Sequence, residues 1–556
     1  MNRIAALSIV AAAACFATES SAACKAEARG GLKPKALVVM LDGMRADAVE
    51  NAYAENIRML RDGKWQDGYK CSWSLCANTI LDTITVSGPN HVSIATGVTF
   101  AKHGVSGNGN NVCDFSKWPS WLKRVVDARP GTKALFMFSW DWDKSICPTP
   151  AVNFIHAKDD ANAKSMPGIL SAPDAPDAIM WYIDYPDHAG HGFGYYPYTR
   201  EYLRAVYLSD RAIGGALKAI ASRPTFAEED WLVIVTADHG GYLRSHGMMN
   251  GQATTIPLLV SGRGVSQGRI PGTPHNYDVA PTVLKHFGID SSGMNLDGKA
   301  VGGEVEAETR RPLSDALAAY MSFDGGAAKN EIAGGPALEI ADGKQASLQK
   351  SGLVGGCLGV TAGTNGVDSA VLKGSENLVF ENGSDFAFTV WVQMREKEKG
   401  DPVIFSNKDW RSGKNAGLAL IASKFFREKV MRQKEPGVAF NLGLKNGGRN
   451  DLGPYGIDRG EWVFYAATLD KLGTLRFYQG GRDGNLYMMS ENAAGAMAAS
   501  GLPFRIGQDG TGKYSFGFTG QIDDLALWTR TLPHDDVRRI YEAGRRGVPL
   551  SGLLTE

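Results

Sequence analysis

Apolar and polar positions follow two rhythms along the chain. From Ala36 to about His286, short unbroken apolar runs are separated by stretches of helical period. Ala36–Leu41, Ala134–Phe138, Ile179–Ile183, Trp231–Thr236 and Ile256–Val260 read as buried strands. Leu203, Val206, Tyr207, Ile213, Leu217 and Ile220 recur at the spacing of one helix face. Strands alternating with helices predict an α/β domain, with a mainly parallel sheet flanked by helices. Asp210 falls on the apolar face of that helix and is expected to be a hydrogen-bonded structural carboxylate. Residues 303–318 read as a polar connection. From Tyr320 onward, Gly- and Asn-rich turns divide short alternating segments, such as Phe386, Phe388, Val390, Val392 and Met394, or Trp462, Phe464 and Ala466. That pattern predicts an all-β jelly-roll sandwich. The expected organisation is therefore 34–302, a 303–318 linker and 319–548.

The N-terminus adds a destination. Arg3 precedes an apolar run from Ile4 to Phe16, followed by small residues up to Ala22 and Ala23. A basic start, a short apolar run and small residues describe a secretory leader over 1–23, too short to span a bilayer. No later segment has membrane-spanning length, so the mature chain is expected to be exported, periplasmic or secreted. Its removal would leave six cysteines, Cys24, Cys71, Cys76, Cys113, Cys147 and Cys357. In an oxidising compartment these suggest disulfides, with Cys71/Cys76 and Cys113/Cys147 paired on proximity alone. At 556 residues, 44% hydrophobic and 21% charged, the chain has material for more than one core. Lys+Arg and Asp+Glu both total 59, which gives no basic surplus for a nucleic-acid groove.

The candidate chemistry sits where strands end. Leu41 is followed by Asp42, Ile183 by Asp184 and Asp187, and Thr236 by Asp238. Ligands of parallel α/β sheets bind outside this carboxyl edge. Histidines are interleaved with these acids in Asp187-His188-Ala189-Gly190-His191, Asp238-His239-Gly240 and His246-Gly247. Asp and His are ligands for zinc or a similar divalent ion, and Asp42, Asp187, His191, Asp238, His239 and His246 make six, enough for two ions. A nucleophile candidate lies in Thr83-Ile84-Thr85-Val86-Ser87-Gly88-Pro89-Asn90-His91. Pro89 reads as the first position of a helix, which puts Ser87 just ahead of a helix N-terminus where anions are favoured.

These residues resemble the alkaline phosphatase superfamily, and within it the type I phosphodiesterase/nucleotide pyrophosphatase branch. The resemblance runs from about Lys35 to Ile289. It rests on Val38-Val39-Met40-Leu41-Asp42-Gly43, Ser87-Gly88-Pro89-Asn90-His91 with Thr96-Gly97, His103-Gly104-Val105, Pro186-Asp187 through His191, Thr236-Ala237-Asp238-His239-Gly240 and Asp278-Val279-Ala280-Pro281-Thr282. The resemblance implies that Asp42, Ser87, Asp238 and His239 hold one metal, which activates the nucleophile, and that Asp187, His191 and His246 hold a second. His275 is the runner-up for His246. Asn108 resembles the asparagine that hydrogen-bonds a phosphoryl oxygen. The branch usually has Thr-Phe-Pro-Asn where this chain has Ser87-Gly88-Pro89-Asn90; Ser87 ranks ahead of Thr85, and Thr83 is last. Asn90 stands where a sulfatase would carry arginine, which disfavours that activity.

The second half resembles laminin-G-like, concanavalin A-like jelly rolls, through Tyr320–Gly325, Gly460-Glu461-Trp462, Leu475-Arg476-Phe477-Tyr478 and Gly520–Trp528. Such domains often bind glycans or other cell-surface ligands. Asp523 and Asp524 are calcium candidates whose bland reading is that of turn carboxylates. Together these features predict an exported two-metal phosphohydrolase acting on a small-molecule phosphate ester. A phosphodiesterase with a phosphorylated Ser87 intermediate is the first reading. The alternatives are a phosphomonoesterase, or a secreted glycan-binding adhesion protein with an inactive scaffold. Trp140, Asp141, Trp142 and Asp143, just after the strand ending at Phe138, stand where they would line the mouth of the site.

Overall fold

The computed structural model describes residues 31–554, apart from 250, 306–310, 327, 341–345, 362–369, 379–384, 396–399, 413–415, 424–436, 446, 457–459, 472, 482–483 and 493–496. The expected leader, with Cys15 and Cys24, lies outside the described residues.

The first half is built on eight strands: β1 (Lys33–Leu41), β2 (Lys70–Asn78), β3 (Ala134–Phe138), β4 (Val152–His156), β5 (Ala178–Ile183), β6 (Glu229–Ala237), β7 (Thr255–Gly262) and β8 (Gly268–Arg269). They form one sheet in the order β4-β3-β5-β1-β6-β7-β2-β8. The five strands from β4 to β6 run parallel, whereas β7 runs antiparallel to both β6 and β2. The unbroken apolar runs are the strands buried on both faces, as a sheet covered by helices requires. β2 and β4 escape that pattern. β2 carries buried serines, such as Ser72, whose Oγ donates to Ser266 O at 2.7 Å, and β4 is a half-exposed edge. The 22-residue helix Arg200–Ala221 buries Tyr202, Val206, Ile213, Leu217 and Ile220. Its Asp210 accepts from Ile57 N at 2.8 Å and Asn56 Nδ2 at 2.7 Å, a structural carboxylate tying down a neighbouring helix.

The second half is a sandwich of a seven-stranded and an eight-stranded sheet, with antiparallel pairing throughout. Phe386, Phe388, Val390, Val392 and Met394 face the space between the sheets. The strand Trp462–Leu469 gives a different result. Its inward set is Val463, Tyr465, Ala467 and Leu469, while Phe464 and Ala466 pack outside. Both sets are buried because helix His534–Arg545 covers the outer face, with Tyr541 5.6 Å from Phe464 and 5.8 Å from Trp391 between ring centroids. Asp523 accepts from Leu353 N and Val354 N, and Asp524 accepts from Tyr320 Oη and Leu550 N, contacts typical of structural carboxylates.

The expected disulfides are not formed: none of the five described cysteines is disulfide-bonded. Cys71 and Cys76 lie in one strand, β2. At about 3.3 Å per residue this separates them by roughly 16 Å, far beyond a disulfide's ~4.4–6.8 Å Cα span. Cys147 instead faces Ser120 Oγ at 2.9 Å.

The halves meet along Leu486–Asn492, the edge strand of the eight-stranded sheet. Asn51 uses its side-chain amide as a strand would, accepting from Met488 N and donating to Met488 O, both at 3.1 Å. This covers an edge that would otherwise invite intermolecular pairing. Nearby, Arg269 donates to Asp470 and to Thr474 Oγ1. Arg269→Ala is expected to cost about 2 kcal/mol, because it removes one partner of a mostly buried ion pair while Arg476 still faces Asp470. Calorimetry should show a lower melting temperature, and a transition that separates the two halves.

Candidate active site

Strand order assembles the acids. β5, β1 and β6 are neighbours, and Leu41 is level with both Ile183 and Ala237. Asp42, Asp184 and Asp238 therefore leave the sheet side by side, although they are remote in sequence. Gly43 makes the next turn at φ 64°, and a Cβ there would lie 2.8 Å from the Asp187 Cα. Only glycine allows the β1 turn to approach the helix Tyr185–Phe193 this closely.

Ser87 opens the helix Ser87–Thr96 and is buried. The helix starts two residues before the expected position, so Pro89 is its third residue, still in the first turn where a missing N–H costs little. Ser87 Oγ lies 3.3 Å from His239 Nε2. His239 Nε2 in turn lies 3.2 Å from Asp238 Oδ2 and 3.4 Å from Asp42 Oδ1. Around the second position, His191 Nε2 is 3.4 Å from Asp187 Oδ2, and His246 Nε2 is 3.1 Å from His191 Nε2 and 3.8 Å from Asp187 Oδ1. The ring of His246 stacks on that of His239 at 4.0 Å. Two groups thus have the spacing of metal ligands: Asp42, Asp238 and His239, and Asp187, His239 and His246. His275 is held elsewhere. Its backbone N–H donates to Asp278 Oδ2 at 2.9 Å and its ring stacks on Tyr277 at 4.7 Å.

The protonation pattern fits a cation. His239, His191 and His246 each direct Nδ1 at a backbone carbonyl, Gly240 O at 2.8 Å, Arg244 O at 3.0 Å and Thr85 O at 2.9 Å. A carbonyl accepts only from N–H, so each Nδ1 carries a proton, and in the neutral ring Nε2 is the atom that offers a lone pair to the centre. The Nε2 lone pairs of His191 and His246, 3.1 Å apart, repel unless a cation sits with them. Burial, helped by the neighbouring His239, lowers the His246 pKa to about 4, so this ring is neutral at pH 7. The acids report the same deficit of positive charge. Burial, then the charges of Asp238 and Asp187, push Asp42 well above the carboxylate range, and its buried Oδ1 has no hydrogen-bond partner. Burial and Asp187 likewise raise Asp184 to about 8.

Asn108 lies beside the Ser87-Gly88 segment. Its Oδ1 accepts from Gly88 N at 2.7 Å, which leaves its NH2 group available to donate. Gly88 is confined: a Cβ there would meet Gly107 O at 2.7 Å and the Trp142 ring at 3.2 Å. Trp142 donates its indole N–H to Gly109 O at 2.6 Å and stacks on Trp140 at 5.0 Å.

The sequence pointed to no role for His91, Tyr182, Tyr195 or Arg45, and to a different one for Thr85, that of runner-up nucleophile. His91 is buried one helical turn after Ser87, with Nδ1 2.7 Å from Asp143 and Nε2 3.2 Å from Asp238. Burial alone would lower its pKa, but Asp143 and Asp238 outweigh that and raise it to about 10, so His91 is a buried cation. Burial opposes ionisation of Asp238, yet His239 and His91 hold it below the usual carboxylate range. Tyr182 donates to Asp42 Oδ2 at 2.7 Å, and Tyr195 donates to Asp187. Thr85 ties the nucleophile segment to the His246 loop, donating to Met248 O at 2.7 Å and accepting from Gly247 N at 3.0 Å. Arg45, fully buried, binds Asp47 and the carbonyls of Tyr195 and Gly241. The four-residue spacing of Ser87 and His91 was the available clue, since it puts both on one helix face.

Residues 36–242 match the family model for type I phosphodiesterase / nucleotide pyrophosphatase, and residues 365–538 match that for the concanavalin A-like lectin/glucanases superfamily. GPI ethanolamine phosphate transferase 1 of Aspergillus fumigatus is 28% identical over 163 residues, 29% of this chain and 14% of that protein. Its counterpart in Emericella nidulans is 34% identical over 121 residues, 21% of this chain and 13% of that protein. The chain thus spans about one-seventh of the length of the curated relatives it matches. A structure of murine ectonucleotide pyrophosphatase / phosphodiesterase 5 in complex with AMP superposes with a TM-score of 0.37 at 14% identity, covering 48% of this chain and 97% of that one.

Proposed function

We propose, from the type I phosphodiesterase / nucleotide pyrophosphatase match of residues 36–242, that the chain is an exported phosphodiesterase with two divalent metal ions and a phosphorylated Ser87 intermediate. The observation that carries this reading is the convergence of three histidine Nε2 lone pairs and three aspartates beside a serine hydroxyl. Asp42, Asp238, His239 and Ser87 would hold one ion, and Asp187, His191 and His246 the other. Oxygen and imidazole donors of this kind suit zinc. When bound, such ions supply positive charge that favours an anionic nucleophile and a developing leaving-group oxygen.

Ser87 Oγ attacks phosphorus in line, its O–P bond forming as the bond to the leaving alcohol breaks and that alcohol departs with a proton. Asn108, its oxygen fixed by Gly88 N, donates N–H to a non-bridging phosphoryl oxygen. Water then attacks the phosphoserine, releasing a monoester and restoring the hydroxyl. His91 and Asp143 hold Asp238 in its ionised, oriented form throughout. Arg45 keeps the β1, β6 and Tyr195 segments in register. Transfer to an alcohol in place of water is a second reading, supported by the names of the curated relatives, and product analysis with added ethanolamine separates the two. The sandwich is proposed to hold a glycan or another cell-surface ligand, as its lectin-like match supports.

Charge at the site bears on the substrate. Ser87 and Asn108 hydrogen-bond to His239 and Gly88, not to Lys or Arg. A neutral amide offsets one phosphoryl charge poorly and a second hardly at all, so a singly charged diester is the better fit. The expected result is a higher kcat/KM for bis(p-nitrophenyl) phosphate than for p-nitrophenyl phosphate, by about tenfold or more. A preference for the monoester would move the assignment to the phosphomonoesterase alternative.

A further inference from the structure

Exposed apolar side chains flank the candidate site residues along the chain and make a candidate rim. Large apolar side chains that stand exposed are few among the described residues, and four of the nine lie within four positions of a site residue. They are Ile84 (42% exposed) before Ser87, Val112 (65%) after Asn108, Phe193 (54%) after His191 and Met249 (47%) after His246. Hydrogen bonds tie these segments to one another and to the Ser87 segment. Thr85 Oγ1 donates to Met248 O at 2.7 Å, so the Ile84 and Met249 segments lie side by side. Tyr195 N donates to Leu243 O at 2.8 Å, which joins the end of the Phe193 helix to the same loop. Across the nucleophile, Trp142 holds the Gly107–Gly109 strap that leads to Val112.

From this arrangement we infer that the substrate is an amphiphilic phosphodiester, whose hydrocarbon chain lies along the Ile84, Phe193 and Met249 side of the rim while its phosphate reaches Ser87. The inference rests on the phosphodiesterase reading and deepens it. Exposed apolar groups cost free energy in water and gain it when covered, and those bordering a reaction centre are covered during turnover by the substrate. Ile, Phe and Met offer neither donor nor acceptor to the polar edges of a nucleobase or sugar, whereas a hydrocarbon chain needs none. The Trp142 indole N–H is already committed to Gly109 O, so that ring too presents only apolar surface to a ligand.

The test is a series of p-nitrophenyl alkyl phosphodiesters from methyl to octyl, below their micelle concentrations, with thymidine 5′-(p-nitrophenyl phosphate) as the competing class. The expected result is a kcat/KM at least tenfold higher for the octyl than for the methyl ester, and higher for the octyl ester than for the thymidine ester. In the Phe193→Ser/Met249→Ser double variant the octyl-to-methyl ratio should fall at least threefold. A wild-type ratio below threefold, an unchanged ratio in the double variant, or a faster thymidine ester would overturn the inference while leaving the phosphodiesterase reading in place. Absence of turnover for every member would remove that reading, and this inference with it.

Discussion

Replacing Ser87 with alanine is expected to lower kcat for a phosphodiester by at least about 10³-fold, about 4 kcal/mol of barrier, with fold and metal content retained. The side chain is small, opens its helix and makes one side-chain contact, to His239 Nε2 at 3.3 Å. Its removal leaves no orphaned donor. Thr85 is the control, because it stands two residues away and was the next-ranked nucleophile. Its hydroxyl is already engaged with Met248 O and Gly247 N. Thr85→Val should therefore weaken the site by loosening the His246 loop, yet still allow a trapped phosphoserine at position 87 to be found by mass spectrometry. A dead Thr85→Ala beside a fully active Ser87→Ala would show that the register of the nucleophile is wrong.

Stripping metal is the second large effect expected. Chelation followed by dialysis should abolish diester turnover, by at least about 10³-fold, and re-addition of zinc should restore it. Elemental analysis of the untreated protein should find about two ions per chain, the number that two ligand groups of this kind would hold. His246→Ala is expected to lose about one of them. His275→Ala is expected to lose none, because that ring stacks on Tyr277 and belongs to neither ligand group. Full activity in metal-free protein would sink the proposal. Loss of metal from His275→Ala but not from His246→Ala would reverse the choice between the two histidines.

Apolar periodicity marks the strands that are buried along their whole length. β1, β3, β5, β6 and β7 were visible as apolar runs because each is buried along its length, and burial on both faces writes itself directly into composition. β2 left no such trace. Its Ser72 is buried but satisfied by the backbone of a segment almost two hundred residues away, a pairing no local pattern records. The strand Trp462–Leu469 shows the converse: its alternation was legible, but which set faces the sandwich interior depends on a helix some seventy residues later. The cysteines failed for a related reason. Nearness in sequence is distance along a strand, and an extended backbone carries Cys71 and Cys76 apart.

The sequence by itself pointed to the fold class, the jelly-roll second half and the candidate residue types of the centre, because Asp42 and Asp238 directly follow buried strands, Asp187 lies four residues beyond one, and parallel sheets expose their carboxyl edge to ligands. The tertiary structure alone decided which of those residues meet. The order β5-β1-β6 sets Asp42, Asp184 and Asp238 side by side, the Thr85 clamp brings His246 to His191, and His91 is buried as a cation between Asp143 and Asp238. Strand order, tautomer and charge state arise from hydrogen bonds and Coulomb interactions between residues tens to hundreds of positions apart. Hydrophobic periodicity registers only how one segment divides its own surface between core and water.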